Sequence, residues 1–137
     1  MTIIGIGTDL CSIHRINKVL NKYGERFCLR IFTKHERIQH INTTDSKRIA
    51  SFYAKRFAAK EATAKALGTG IIGTIISWKD IEVQNHASGK PNIVLYGAAK
   101  KLLEEQLCCK YKNTNIFVSL SDTNEYAQAV VIIEALS

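Results

Sequence analysis

Cysteine pairs at metal or redox spacing, prolines and long apolar runs are scarce or missing from this chain of 137 residues. No stretch approaches the roughly 20 apolar residues that cross a bilayer, so no membrane is expected as a partner. Residues 1–10 are apolar but lack the basic start, the length and the cleavage site of a signal peptide, and the reading is cytoplasmic. A single proline leaves few forced breaks, and no low-complexity linker or repeat divides the chain. Cys11, Cys28, Cys108 and Cys109 form no C-x-x-C pair, and adjacent Cys108 and Cys109 suit neither zinc nor a disulfide. Reduced, partly buried thiols are expected. His14, His35, His40 and His86 show no H-x-x-x-H spacing and read as surface side chains.

What is present fits one globular domain covering residues 1–137, with 46% hydrophobic residues. The net charge of +7 implies an anionic partner: nucleic acid, a membrane surface, an acidic protein or a phosphorylated small molecule. A small basic nucleic-acid-binding domain is the rival from another class. Against it, the aromatics fall on apolar faces, with no helix-turn-helix, RNP or zinc pattern, so no nucleic acid is expected.

Residues 2–7 read as a short buried strand, followed by Thr8, Asp9 and Leu10. Ser12 can cap a helix whose stripe is Ile13, Ile16, Val19 and Leu20, ending before Gly24. Its other side carries Arg15, Lys18 and Lys22. Residues 25–32 form a short helix, and Thr33 with Glu36 fits a capping box that opens a third. After a polar break at 42–45 a long helix begins, with Ile49, Phe52, Tyr53 and Phe57 on its buried side. Residues 68–73 are a flexible loop. Residues 78–84 and 91–96 make a hairpin about a turn at 85–90, and 115–121 with 126–135 make another about 122–125. Between the hairpins, 98–109 is an amphipathic helix with Leu102, Leu103 and Leu107 inward. Condensed to β-α-α-α-β-β-α-β-β, this order predicts an α+β fold, a mostly antiparallel sheet with helices packed on one face.

The long helix ends Phe57-Ala58-Ala59-Lys60-Glu61-Ala62-Thr63-Ala64-Lys65-Ala66-Leu67-Gly68-Thr69-Gly70. Spacing i,i+4 puts Glu61 and Lys65 on one face, and Gly68 can take a left-handed cap. An ordinary solvated Glu-Lys pair has the same spacing. Asp9, near Gly5 and Gly7, is a second candidate carboxylate, unless it serves as a helix cap or turn. Together Asp9 and Glu61 suit Mg²⁺, which takes one or two carboxylates, waters and phosphate oxygens. Gly5 and Gly7 make only half of a dinucleotide fingerprint, and no third glycine follows at the required spacing. Lys55, Arg56 and Lys60 suit either a solvated face or the phosphates of a nucleotide.

The ordered set Gly5-Ile6-Gly7-Thr8-Asp9-Leu10, Arg56 to Glu61 with Lys65 and Gly68-Thr69-Gly70, Gly89-Lys90-Pro91, and Ser119-Leu120-Ser121-Asp122 before Tyr126-Ala127 resembles the short bacterial phosphopantetheinyl transferases, the holo-(acyl-carrier-protein) synthase family. The resemblance implies a 4′-phosphopantetheinyl transferase fold of one lobe. It implies Mg²⁺-dependent transfer of phosphopantetheine from coenzyme A to a serine of apo-acyl carrier protein, releasing adenosine 3′,5′-bisphosphate and supporting fatty acid synthesis. By similarity Asp9 and Glu61 hold Mg²⁺, and Lys65 faces the diphosphate. The serine proton goes to Glu61 or to a metal-bound water. Arg56, Phe57, Lys65, Gly68, Thr69, Gly70, Lys90 and Pro91 line the coenzyme A site. Arg15 and Arg26, with the basic face of Lys18 and Lys22, meet the acidic carrier. Many relatives carry His at the position of Asp122 and others Asp; a turn Asp bonding its own backbone is the alternative there. Relatives of this length are homotrimers with active sites at subunit interfaces. An inactive relative that binds only carrier or coenzyme A is a further reading, opposed by intact Asp9, Glu61 and Lys65.

Overall fold

No glycine or proline interrupts the chain from Ser46 to Leu67, and this stretch forms the longest helix. The computed structural model describes residues 1–39, 42–70 and 72–137, with Gln106 described by its backbone alone; His40 lies outside the described residues. The order is β1 (Thr2–Ser12), α1 (Ile13–Tyr23), α2 (Glu25–Ile31), α3 (Lys34–Ile38), α4 (Ser46–Leu67), a 3-10 turn (Trp78–Asp80), β2 (Ile81–Asn85), β3 (Pro91–Leu95), α5 (Gly97–Lys101), a π-helical turn (Leu102–Leu107), β4 (Asn113–Asp122) and β5 (Tyr126–Leu136). Among the described residues four helices precede β2, one more than the condensed order shows.

The caps are those the residue types favour. The Asp45 side chain accepts from the Lys47 N–H at 3.0 Å, and Gly68 closes α4 at φ 77°. Ser12 caps α1, and Thr33 and Glu36 form the reciprocal capping box that opens α3. His14, His35 and His86 are exposed, as expected.

Among the described residues every strand pairing is antiparallel, in two sheets rather than one: β1-β5-β4 and the hairpin β2-β3. β1 runs on to Ser12 because β5 offers partners that far, Asp9 facing Ala129 and Ser12 facing Tyr126. Asp9 therefore lies within the strand and not after it. The expected strand at 78–84 starts later, since Trp78–Asp80 winds into a 3-10 turn. The helix expected over 98–109 stops at Lys101 and continues as a π turn. Hydrogen bonding five residues back, as from the Cys108 N–H to the Leu103 carbonyl, shifts the side-chain phase. Leu103 and Cys108 become buried and Leu107 is left exposed.

Small residues bring α4 close to the three-stranded sheet. Ala58, Ala59, Ala62 and Ala64 of the helix and Ala127, Ala129 and Ala135 of β5 are fully buried. A Cβ on Gly5 would stand 1.9 Å from the Ala66 carbonyl oxygen, and one on Gly7 1.9 Å from that of Ala62. Here glycine is required by contact, which explains the glycine pair that a dinucleotide fingerprint did not. On the opposite face Ile6, Leu10 and Phe117 are half or more exposed, and register aligns Ile6 with Ile132 and Ile132 with Phe117.

Candidate active site

Side chains alternate across a strand, so Asp9 shares the helix-facing side of β1 with Gly7 and Cys11. The glycine contacts hold β1 against α4 at Ala62 and Ala66, and Glu61 and Lys65 directly precede these alanines. Lys65 donates from Nζ to the Thr8 carbonyl at 2.7 Å and lies 3.3 Å from Asp9 Oδ1. Asp9 and Glu61 line one cleft of about 310 Å³, together with Phe57, Arg15, Cys11 and Leu10. Burial first, and Asp9 second, hold the Glu61 carboxyl above its usual range, while Lys65 pulls it back. Burial and then Asp9 push the Cys11 thiol up to about 11, so it is an unreactive wall of the cleft. Cys11 and Cys108 are buried, Cys28 half-buried and Cys109 exposed, all unpaired.

The other expected residues do not line this cleft. Arg26 lines a neighbouring cleft of about 420 Å³ that shares Val19 and Phe27 with the first. Lys18 and Lys22 are exposed, Lys22 lying 5.2 Å over the Tyr23 ring. Gly68, Thr69 and Gly70 leave the end of α4, with the Thr69 N–H and hydroxyl both donating to the Ala64 carbonyl. Lys90 and Pro91 sit at the tip of the β2-β3 hairpin, outside the Asp9 cleft. Arg56 is also outside it. Only 6% exposed, Arg56 donates to Gln39 Oε1 at 3.1 Å and Asn85 Oδ1 at 2.9 Å, with its guanidinium 3.5 Å from the Phe52 ring centroid. Burial lowers its pKa to about 10. Asp122 does not close a turn on its own backbone; it accepts from the Ser51 hydroxyl at 2.6 Å and lies 4.0 Å from Lys55 Nζ.

Two features of the structure were not among the expectations. One is a cleft of about 440 Å³ that brings Arg48 and Lys55 of α4 beside Asp122. Arg56 braces it from behind through Gln39 and Phe52, both of which line it. The other is Lys60, wholly buried and 2.8 Å from Glu36 Oε1. Neither the solvated-face reading nor the nucleotide-phosphate reading survives for Lys60, because its charge is neutralised inside. Its position was a usable signal: Tyr53 and Phe57 precede it and Ala64 follows it on one helical stripe, so a lysine there requires a buried acceptor.

The sequence model described as the 4′-phosphopantetheinyl transferase superfamily matches residues 5–131. The chain is 48% identical over 134 residues to the holo-(acyl-carrier-protein) synthase of Phenylobacterium zucineum, covering 98% of this chain and 94% of that protein. It is 50% identical to the synthase of Bartonella tribocorum, covering 98% and 97%. Among solved structures, the Neisseria meningitidis synthase superposes with a TM-score of 0.81 at 38% identity, over 97% of this chain and 99% of that one. The Bacillus anthracis synthase, solved in complex with CoA (3′,5′-ADP), gives 0.78 at 36% identity over 98% and 99%.

Proposed function

The chain belongs to the 4′-phosphopantetheinyl transferase superfamily, among its holo-(acyl-carrier-protein) synthases, and from that membership we propose how it works. Residues 1–137 act as one cytoplasmic domain that moves phosphopantetheine from coenzyme A to a serine of apo-acyl carrier protein, in support of fatty acid synthesis. The serine oxygen attacks the β-phosphorus, the diphosphate bond breaks, and adenosine 3′,5′-bisphosphate leaves. The observation that carries this reading is the meeting of Asp9 and Glu61 at one cleft, with the Lys65 ammonium held beside Asp9.

Two carboxylates in a basic chain suit Mg²⁺, and among the described residues no group of three or more His, Cys, Asp or Glu encloses a metal alone. Two carboxylates leave places on the ion for the phosphate oxygens of a diphosphate. Held by Asp9 and Glu61, Mg²⁺ would supply charge neutralisation to the diphosphate. Lys65, tethered by Thr8 and Asp9, adds a fixed positive charge on the same side. Glu61 lines the cleft as the carboxylate available to take the serine proton. Phe57, Lys65 and the loop Gly68, Thr69 and Gly70 contact coenzyme A, while Arg56 braces the cleft beside Asp122. Lys90 and Pro91 reach the site of a neighbouring copy. Coenzyme A, Mg²⁺ and the protein, incubated with an apo carrier, must increase the carrier's mass by one phosphopantetheine. No gain, or a gain indifferent to chelation, would refute the mechanism.

Exposed Ile6 and Phe117, aligned through half-buried Ile132, support a homotrimer, since so apolar a sheet face favours burial. Leu10 belongs to this face and to the Asp9 cleft at once, which fits sites at subunit boundaries. Light scattering is expected to give three times 15.3 kDa; a monomer would remove this part of the reading.

Acyl carrier proteins are acidic, and Arg15, Lys18, Lys22 and Arg26 offer them a positive flank beside the cleft. Reversing Arg15 to Glu should raise KM for the carrier about tenfold while leaving KM for coenzyme A close to wild type. Equal rises in both constants would count against docking there.

A further inference from the structure

Lys60 neighbours Glu61 on the helix that carries the site, yet it is fully buried. Its ammonium meets acceptors from three elements: Glu36 Oε1 of α3 at 2.8 Å, the Trp78 carbonyl at 3.0 Å, and the Ile81 carbonyl where β2 begins. Glu36 is as fully used. Its Oε1 also accepts from the Thr33 N–H at 2.9 Å, and its Oε2 from the Val83 N–H at 2.9 Å.

Stability alone does not explain such a pair. Removing two charges from water offsets most of their attraction, and well-packed apolar substitutes are often as stable. A saturated network of this kind does fix position. Here it fixes the backbone of Trp78, whose indole stacks on Phe57 with centroids 4.9 Å apart and planes at 28°. Phe57 in turn packs against Phe27 at 6.5 Å, and both rings line the cleft that holds Asp9 and Glu61. A chain of contacts thus runs from the buried pair to the wall of the site.

We propose that Glu36 and Lys60 are positioning residues for the transfer reaction: by holding the Trp78 carbonyl they set the Trp78–Phe57 stack as the wall against which coenzyme A is aligned. The inference rests on the transferase reading above. Neither residue touches the reacting atoms, and both act through Phe57.

Trp78 is the only tryptophan, so intrinsic emission reports on the ring that backs Phe57 in this wall. In the double variant Glu36→Gln with Lys60→Met, Trp78 emission should move to longer wavelength and KM for coenzyme A should rise about tenfold. KM for the carrier should stay unchanged. A merely structural clamp would lower the melting temperature and leave emission and KM for coenzyme A as in wild type, which would overturn the proposal. Equal changes in both KM values would overturn it as well. Should the double variant not fold, the wild-type protein decides the matter by calorimetric and fluorescence titration with coenzyme A. Binding heat accompanied by a change in Trp78 emission supports the wall. Heat with unchanged emission overturns this inference alone, and no heat at all overturns the transferase reading and the inference with it.

Discussion

Phosphopantetheine transfer by the Glu61→Gln variant is expected to fall by at least about 10²-fold. Each ~1.4 kcal/mol of lost transition-state stabilisation is a factor of ten, and charge neutralisation at a phosphoryl group is worth several. The same substitution should act oppositely on the metal-free fold. Burial, and then Asp9, raise the Glu61 carboxyl above its ordinary 4.5, so its ionised form is disfavoured in the folded chain. This penalty is absent below the ordinary pKa, grows as pH rises through the raised value, and is fully present beyond it. The E61Q protein, which carries no such charge, should therefore melt higher than wild type near neutral pH without metal. Added Mg²⁺ should reverse the ranking by binding only the wild-type pair. Thermal scans at two pH values with and without Mg²⁺, beside the transfer assay, test both halves. Equal protection of both proteins by Mg²⁺ would remove Glu61 from the metal site.

Gly7→Ala should be nearly as damaging, although the residue carries no chemistry. Neither Gly5 nor Gly7 has a positive φ, so the backbone itself tolerates alanine. What it does not tolerate is the added carbon, which would stand 1.9 Å from the Ala62 carbonyl oxygen and 2.9 Å from the Ala66 nitrogen. Both neighbours are helix backbone, so no flexible side chain can yield, and α4 must lift. Overpacking commonly costs about 1–3 kcal/mol, and a contact of this kind belongs at the upper end. Lifting α4 also carries Glu61 and Lys65 away from Asp9, and a displacement of ~1 Å can lower the rate by about 10²-fold. Urea unfolding and the transfer assay together test the prediction; a wild-type midpoint and rate would mean that α4 floats freely over β1.

The legible parts of the molecule were those with local causes. Ser12, Asp45 and Gly68 delimit helices by their own hydrogen bonding and backbone freedom, and Thr33 with Glu36 announces α3 from four consecutive residues. Asp9 and Glu61 could be paired in advance by the resemblance and by the preferences of Mg²⁺. What depends on remote partners was less readable. β1 gains its last five residues from β5, which lies more than a hundred positions along the chain. Arg56 and Lys60 look like members of a solvated basic run until Gln39, Asn85, Glu36 and the Trp78 carbonyl supply acceptors from other elements. The π turn depends on a hydrogen-bonding choice that the Leu-Leu-Glu-Glu-Gln-Leu sequence does not announce.

The strand order carries a consequence for biosynthesis. β5 lies between β1 and β4, so the first strand made finds its partner only when residues 126–136 have left the ribosome. Until then Asp9 hangs on an unpaired edge, and Ala127, Ala129 and Val131 are not there to support α4. The carboxylate pair is thus assembled by a segment that contributes none of its atoms. A nascent chain halted before residue 126 would hold every residue proposed for catalysis and still have no active site.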